Sequence, residues 1–157
     1  MSIRRVFRVC RSKYSKLDGL GAARVGGRWN SPGNPVVYMA ESISLAVLEN
    51  LVHMSRGDFP EGFVVVAATI PFEFSSWSDL KPEIASQLRS YEMELIEDQR
   101  TWGDVWIASR AAAVLEVPSM VVPGESNFLM NPNHPDFAKI IVDPPVPFAF
   151  DPRLFRI

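Results

Sequence analysis

Apolar positions recur with the spacing of strands in some segments of the chain and of helices in others. Apolar residues next to arginines in "RRVFRV" and continuous apolar runs in "PVVYMA" and "GFVVVAATI" predict three strands. Helical spacing predicts a helix at "SISLAVLENLVHMS", which Ser42 caps and Gly57 ends, and a second at "IEDQRTWGDVWIAS". Ile96, Trp102 and Trp106 indicate an apolar face on the second helix. Short strands are predicted near "AAVLEV", "SMVV", "NFLM" and "KIIV".

The segments between these elements predict a long loop and an extended tail. The glycine-rich "SKLDGLGAARVGGRWNSPGN" predicts a long loop, and loops of that length are usually functional or disordered. Proline-rich "DPPVPFAFDPRL" predicts an extended tail that wraps the surface, while residues 71–94 carry no decisive pattern. Few helices and many short strands, without regular β–α alternation, predict a compact α+β fold with short mixed strands in small sheets and a few flanking helices.

Composition narrows the class of protein. A chain of 157 residues that is 47% apolar and 22% charged is typical of a globular domain, and we expect one domain over residues 1–157. The net charge of -2 supplies no global basic field, so we expect no direct nucleic-acid binding, although basic residues crowd the N-terminal region. No apolar run approaches the roughly 20 residues of a membrane helix, so no membrane association is expected.

Cysteine and histidine usage excludes two kinds of site. Cys10 is the only cysteine, which excludes an internal disulfide and a thiolate metal cluster and fits a cytoplasmic protein, with Cys10 packed as a small buried residue. His134 has no cysteine or second histidine at ligand spacing, so no metal site is expected.

Glu49 lies among apolar residues on the first predicted helix. The helical wheel places Leu45 and Val52 on one side of it and Ala46 and His53 on the other, which predicts a largely buried helix. A carboxylate buried alone costs several kcal/mol, so Glu49 must find a partner, become protonated or line a cavity.

Arg28 is the predicted partner, because a short connection separates it from the strand that leads into this helix. Spacing alone does not distinguish a functional pair from a structural ion pair that orders the loop. Tyr38, near the end of that strand, either lines the same cleft or packs in the core. A guanidinium for phosphate, an aromatic face and a carboxylate together suit a dinucleotide.

The glycines match neither common phosphate-binding motif. "GLGAARVGG" is not G-x-G-x-x-G and does not lead directly into a helix, and the chain contains no G-x-x-x-x-G-K-[ST] loop. Gly26 and Gly27 instead predict a tight backbone approach beside Arg28, or simply a turn.

Three long segments resemble a known family. "GGRWNSPGNPVVYMAESISLAVLENLVH", "DVWIASRAAAVLEVPSMVVPGESNFLMNPNHPDF" and "FDPRL" resemble the RES-domain family, toxins of bacterial toxin–antitoxin modules named for an arginine, a glutamate and a serine. The resemblance spans nearly the whole chain except residues 71–94. It implies a fold similar to the ADP-ribosyltransferases, NAD as substrate with no cofactor, and an Xre-type antitoxin as partner, with assembly into a higher-order toxin–antitoxin complex left open.

The resemblance also assigns site residues. Arg28, Tyr38 and Glu49 match the family arginine, tyrosine and glutamate, which implies a catalytic set. The family serine matches Ser119 better than Ser126. Substrate-binding residues are expected to be Arg28, Trp29, Asn30, Tyr38, Ser119, Ser126 and Asn131.

Cleavage of the nicotinamide–ribose bond is the expected reaction, with Arg28 on the pyrophosphate, Tyr38 near the nicotinamide and Glu49 at the developing ribosyl cation. Water as acceptor would make the protein an NAD glycohydrolase, phosphate an NAD phosphorylase, and a protein side chain a mono-ADP-ribosyltransferase. A non-enzymatic protein-binding module, with Arg28 and Glu49 as a structural pair, is the alternative from another class.

Overall fold

The computed structural model describes residues 3–55, 57, 59–79 and 96–155, and a single sheet organises them. The strands are β1 (Arg4–Arg11), β2 (Val37–Ala40), β3 (Phe63–Ile70), β4 (Ser75–Ser76), β5 (Val114–Pro118), β6 (Ser126–Met130), β7 (Ile141–Val142) and β8 (Val146–Phe148). The helices are α1 (Leu20–Val25), α2 (Ile43–Leu51) and α3 (Ile96–Ser109), with 3-10 turns at Ser12–Tyr14, Pro135–Lys139 and Pro152–Phe155.

The sheet has eight strands in the order β4-β5-β6-β2-β1-β3-β7, and β8 also pairs with β3. The β4–β5 pair is parallel and the other pairs are antiparallel. The predicted α+β class is therefore confirmed. The expectation of several small sheets is wrong, because within the described residues these strands pair side by side in one sheet.

One face of the sheet carries the largest apolar cluster. Because side chains alternate between faces, Val6 and Cys10 of β1 share this face with Val66 of β3, Met39 of β2 and Phe128 of β6, all of which are buried. Residues outside the strands, among them Leu17, Phe72 and Phe137, cover this face. Cys10 packs there as a small buried residue, as the sequence predicted, and burial raises the pKa of its thiol.

The other face, which we call the helix-bearing face, supports α2 and α3 over separate apolar clusters. Leu45 and Ala46 of α2 pack on Val9 and Ala40. The predicted tryptophan face of α3 is confirmed, and it lies on different strands of the same sheet; the members of this second cluster are Trp29, Val36, Trp102, Trp106, Ile107, Leu115, Val117 and Leu129. The strip of sheet between the two clusters is where the polar side chains gather.

Helix α2 begins as predicted but is shorter and more exposed than its sequence indicates. The Ser42 hydroxyl oxygen accepts a hydrogen bond of 3.0 Å from the Leu45 N–H, which satisfies one of the free donors at the helix start. The helix ends at Leu51, well before Gly57. The expectation of a largely buried helix is wrong, because Ile43 and Leu48 are 40% and 41% exposed.

Three loop expectations change in the structure. The long glycine-rich loop contains the short helix α1, which begins after Gly19 with its φ of 72°. "SMVV" forms a turn after β5 instead of a strand. The tail is extended where β8 pairs with β3, but its last residues form the 3-10 turn Pro152–Phe155, and Phe150 is buried instead of lying on the surface. Most of the 71–94 segment lies outside the described residues.

None of the described helices combines the length and the apolar character that crossing a membrane requires.

Candidate active site

Glu49 is held by two neutral donors at one of its carboxylate oxygens. The Ser119 hydroxyl donates to Oε1 over 2.9 Å, and the Asn127 side-chain amide donates to the same oxygen over 2.8 Å. Among the described residues Oε2 receives no hydrogen bond. The predicted pairing of Arg28 with Glu49 is wrong: neutral hydrogen bonds, and no ion pair with Arg28, satisfy this half-buried carboxylate.

Ser119 is itself fixed by the turn after β5. Its buried hydroxyl oxygen accepts hydrogen bonds from the N–H groups of Val121 and Val122, at 3.1 and 3.0 Å, while its hydrogen points to Glu49. Such serine-to-backbone bonds close a turn locally. Ser126, the other predicted serine, uses its backbone N–H to contact Glu41 and has no described contact with Glu49. The geometry thus brings Ser119 to the carboxylate, and not Ser126.

Arg28 lies at the exposed rim of the same region. Its Nη1 donates to the Gln99 side-chain oxygen of α3 at 3.3 Å, and the Gln99 amide contacts the Met120 sulfur at 3.8 Å. Met120 follows Ser119 directly, so this chain of contacts links Arg28 to the turn that holds Glu49. The guanidinium has only a neutral partner within the described residues and remains open to an anion.

Tyr38 uses its hydroxyl to organise the Arg28 loop. The hydroxyl accepts from the Trp29 N–H at 3.0 Å and donates to the Asn30 side-chain oxygen at 2.6 Å. Burial raises the pKa of Tyr38 to about 12, against a smaller lowering effect of the Trp29 N–H. The phenol therefore stays neutral at physiological pH. Because its hydroxyl is already hydrogen-bonded to Trp29 and Asn30, it is not placed to act as a general base.

Trp29 and Asn30, which follow Arg28 in this loop, are buried and do not face outward. Asn30 donates to the backbone oxygens of Ala22 and Asn34 at 2.8 and 3.0 Å, which closes the loop on itself. Trp29 packs in the α3 cluster. The structure thus assigns these two predicted substrate-binding residues contacts that shape the loop carrying Arg28.

Hydrogen bonds between α3 and the loop fix the position of Arg28. The Asp104 carboxylate accepts from the Ser31 N–H at 2.8 Å, the Ser31 hydroxyl at 2.5 Å and the Asn34 amide at 2.9 Å. Gly103 permits this approach, because a Cβ there would lie 1.6 Å from the Trp29 carbonyl oxygen. Gly27 is similar, since a Cβ there would meet the Tyr38 hydroxyl at 2.7 Å.

The polar side chains share the helix-bearing face. Tyr38 pairs with Leu129 and Ala40 pairs with Asn127, so Tyr38 and Asn127 are diagonal neighbours on adjacent strands of one face. We call Tyr38, Glu49, Ser119 and Asn127 the polar strip; it lies between the clusters beneath α2 and α3, with Arg28 at its rim. Of the predicted catalytic set, Tyr38 and Glu49 thus share this strip through Asn127, whereas Arg28 is connected to it only through Gln99 and Met120.

The remaining predicted residue, Asn131, and the two histidines have their described contacts elsewhere. Asn131 is fully buried and is bonded to the Ile107 carbonyl at 3.1 Å and the Asn133 N–H at 3.0 Å, so its contacts are those of a turn and not of a binding site. His134 accepts from the Asp136 N–H through Nδ1 and caps a 3-10 turn. His53 is exposed beyond the end of α2.

Sequence reasoning missed Asn127, Gln99 and Asp104. Each is a common polar residue whose partner is 70 or more positions away in the chain, so only strand pairing and helix docking bring the partners together. The one available signal was the alternation of β6, which places Asn127 on the same face as Leu129.

A separate cavity of about 410 Å³ contains none of the predicted site residues; its lining is Ser15, Lys16, Leu17, Phe137, Ile140, Val142 and Pro145.

The fold and site together define a class of protein. It is an α+β domain whose single sheet carries two helices on one face, and a glutamate of the first of these helices is hydrogen-bonded to a serine and an asparagine. The chain belongs to the RES-domain family, whose model matches residues 5–151. It is 34% identical over 140 residues to the Prs ADP-ribosylating toxin of Sphingobium sp. (strain YBL2), covering 89% of this chain and 87% of the relative.

A second relative supports this assignment, and a solved structure shares the fold. The chain is 37% identical over 150 residues to Toxin Res of Pseudomonas putida, covering 92% of this chain and 96% of that protein. It also matches a chain in the crystal structure of the M. tuberculosis MbcT–MbcA toxin–antitoxin complex with a TM-score of 0.68 and 15% identity, covering 98% of this chain and 87% of the other. At that identity the structural match speaks for the fold alone.

Proposed function

We propose that this protein is the toxin of a toxin–antitoxin module and that it cleaves the bond between nicotinamide and ribose in NAD. Membership of the RES-domain family supports the toxin assignment. The observation that carries the reaction is the carboxylate of Glu49, whose Oε1 is fixed by Ser119 and Asn127 while Oε2 has no described partner.

The proposed reaction needs one carboxylate and a good leaving group. The bond between the nicotinamide nitrogen and the ribose carbon breaks, and its electron pair neutralises the pyridinium, so nicotinamide leaves without protonation. The ribose becomes oxocarbenium-like, and the acceptor adds its oxygen or nitrogen there and loses a proton. Negative charge fixed beside the ribose stabilises the transition state more than the ground state.

Each residue of the site has a defined part in this proposal. Oε2 of Glu49 faces the developing cation, and fixing Oε1 avoids reorganising the carboxylate during the reaction. Arg28 binds the pyrophosphate with its exposed guanidinium. The Tyr38 ring offers an aromatic surface for nicotinamide, and its hydroxyl maintains the loop that presents Arg28.

The acceptor divides the proposal into three reactions that share this cleavage step. Water gives an NAD glycohydrolase, inorganic phosphate gives an NAD phosphorylase, and a protein side chain gives a mono-ADP-ribosyltransferase. The name of the Sphingobium relative, an ADP-ribosylating toxin, favours transfer to a protein. We place depletion of NAD first, because it needs only the cleavage step and water or phosphate as acceptor, without a protein target.

The proposed partner is an antitoxin that covers the polar strip, since unchecked NAD loss would harm the cell that makes the toxin. The name of the MbcT–MbcA complex records a toxin held by an antitoxin in a protein of similar fold. We propose an Xre-type protein for this role.

Mass spectrometry of NAD incubated with the purified protein tests the function. We expect nicotinamide release, with ADP-ribose, its phosphorylated form or a modified protein as the co-product according to the acceptor supplied. Glu49→Gln keeps the shape of the side chain but removes its charge, so release should fall by about 100- to 1,000-fold.

The matched control is Glu61→Gln, an exposed glutamate ahead of β3, which should leave the rate unchanged. Equal activity of Glu49→Gln and the unaltered protein would remove Glu49 from the reaction. A protein that releases no nicotinamide with water, phosphate or a candidate target protein would favour the non-enzymatic binding module.

A further inference from the structure

Asn127 has one buried atom that is left without a partner beside the catalytic carboxylate. Three buried side-chain polar atoms in the described ranges lack a hydrogen bond: the indole nitrogens of Trp102 and Trp106, and Oδ1 of Asn127. A buried acceptor without a donor destabilises the folded protein, and native proteins contain few of them. Oδ1 belongs to the same side-chain amide whose nitrogen donates to Glu49, so its lack of a partner requires an explanation.

The charge of Glu49 determines which way the amide points. Rotating the Asn127 amide by half a turn would place Oδ1 against Oε1, oxygen against anionic oxygen, and would remove the 2.8 Å bond. A hydrogen bond to an ionised group is about twice as strong as a neutral one. The asparagine therefore keeps its donor on Glu49 and leaves its own oxygen unsatisfied.

The backbone beneath Asn127 makes this donor rigid. Asn127 lies on β6, where it pairs with Val117 of β5 on one side and Ala40 of β2 on the other. A residue paired on both sides is held by two strands. Ser119 approaches Oε1 from the end of β5, so the two donors hold one oxygen from different elements and determine where the other oxygen points.

We propose that Asn127 is a positioning residue, which fixes the orientation of Glu49 so that Oε2 faces the substrate. This inference rests on the proposed function for its kinetic consequence. Natural proteins break a local rule mainly at functional sites, and the unsatisfied Oδ1 is such a break. Asn127 thus contributes to catalysis through Glu49 and at some expense of stability.

Asn127→Ala tests the proposal. Without the amide, Glu49 keeps only the Ser119 bond, and misplacement of a reacting group by about 1 Å costs about 100-fold in rate. We expect kcat for nicotinamide release to fall about 10- to 100-fold and KM to stay within about threefold, because substrate binding does not use this residue. The Tm should change little, because the loss of the bond to Glu49 is offset by the removal of an unsatisfied buried acceptor.

Asn127→Asp gives a second measurement with nearly the same shape. It replaces the donor with a second anionic oxygen against Oε1, so kcat should fall below that of Asn127→Ala. A variant Asn127→Asp with unaltered kcat would overturn the proposal.

Two asparagines provide matched controls. Asn133→Ala removes an exposed side chain and should change neither kcat nor Tm. Asn50 lies next to Glu49 on α2, but its amide donates to the Val9 and Ala46 carbonyls at 2.7 and 2.8 Å, so Asn50→Ala should lower Tm. If Asn127→Ala behaved like Asn50→Ala, with a lower Tm and an unaltered kcat, Asn127 would be a structural residue.

Crystal structures of the unaltered protein and Asn127→Ala separate this proposal from the proposed function. We expect one Glu49 conformer in the unaltered protein and a shifted or multiple conformer in the variant. A single unshifted Glu49 in both would overturn the positioning role whether or not NAD is cleaved. Absence of NAD cleavage by the unaltered protein, with Glu49 shifted in the variant, would overturn only the proposed function.

Discussion

At the scale of single residues, Tyr38 shows how a side chain at the site serves the fold. Its hydroxyl joins the Trp29 N–H to the Asn30 side-chain oxygen, and both partners belong to residues that are almost wholly buried. The aromatic ring that we propose for nicotinamide is thus held in place by the loop that it helps to order.

Removal of this hydroxyl should be costly. Tyr38→Phe leaves a buried donor and a buried acceptor unpaired, so the free energy of unfolding should fall by about 1–3 kcal/mol. Urea unfolding at neutral pH measures this loss. Tyr14→Phe, at an exposed tyrosine, is the matched control and should show no comparable loss.

The same residue predicts a pH dependence. The pKa of Tyr38 is raised to about 12 in the folded protein against the ordinary value of 10.0, so the unfolded chain loses this proton first. The contribution of Tyr38 to stability should therefore be complete below pH 10 and disappear progressively between pH 10 and 12. Between pH 10 and 12 the free energy of unfolding should fall less steeply with pH for Tyr38→Phe than for the unaltered protein. An equal slope for the two proteins would contradict the burial of the phenol.

Glu49 shows how much of the site the sequence predicts at this scale. Its apolar neighbours correctly indicated that the carboxylate needs partners. They could not indicate which, because Ser119 and Asn127 lie 70 and 78 positions further along the chain and reach Glu49 only through strand pairing. Proximity in the chain favoured Arg28 instead, and that pairing is the one the structure contradicts.

At the scale of elements, the close contact between α3 and the Arg28 loop depends on one glycine. Gly103→Ala would place a Cβ 1.6 Å from the Trp29 carbonyl oxygen, so the helix and loop must separate. We expect a loss of about 1–3 kcal/mol in the free energy of unfolding, typical of overpacking. If Arg28 binds NAD as proposed, its displacement should also raise the KM for NAD.

The control for this change is another helical glycine. A Cβ on Gly21 of α1 meets nothing within 4 Å, so Gly21→Ala should stabilise the protein by about 0.5–1 kcal/mol. Equal effects of the two substitutions in thermal unfolding would show that α3 does not press on the loop.

Elements with their own periodicity were predictable, and those formed by pairing were not. β1, β3 and α3 follow from alternation, an apolar run and a tryptophan face. β4 and β7 have two residues each and exist because a neighbouring strand binds them. The apolar "SMVV" suits a strand, but the Ser119 hydroxyl bonds to the next backbone N–H groups and folds it into a turn.

At the scale of the whole molecule, the segment after β8 completes the core beneath α2. Phe150 is 2% exposed and packs edge to face on Phe63, with ring centroids 5.1 Å apart, and on Phe148 at 4.9 Å. Residues from the two ends of the described chain thus share one apolar cluster with the helix that carries Glu49.

Truncation of this ring should destabilise the entire fold. Phe150→Ala should lower the free energy of unfolding by about 3–5 kcal/mol, because it removes a large buried side chain and leaves a cavity. Leu154→Ala, at a residue that is 51% exposed, should change it by no more than about 0.5 kcal/mol. Chemical denaturation of both variants measures the difference, and equal stabilities would show that the tail is dispensable.

The pairing of β3 also has a consequence in time. This strand binds β1, which is synthesised before it, and β8, which leaves the ribosome some 80 residues later. The helix with Glu49 is therefore synthesised about 100 residues before Phe148 and Phe150, the aromatic residues that pack in the cluster beneath it. A nascent chain released before residue 146 would lack these aromatic side chains, so incomplete translation products should lack the proposed activity.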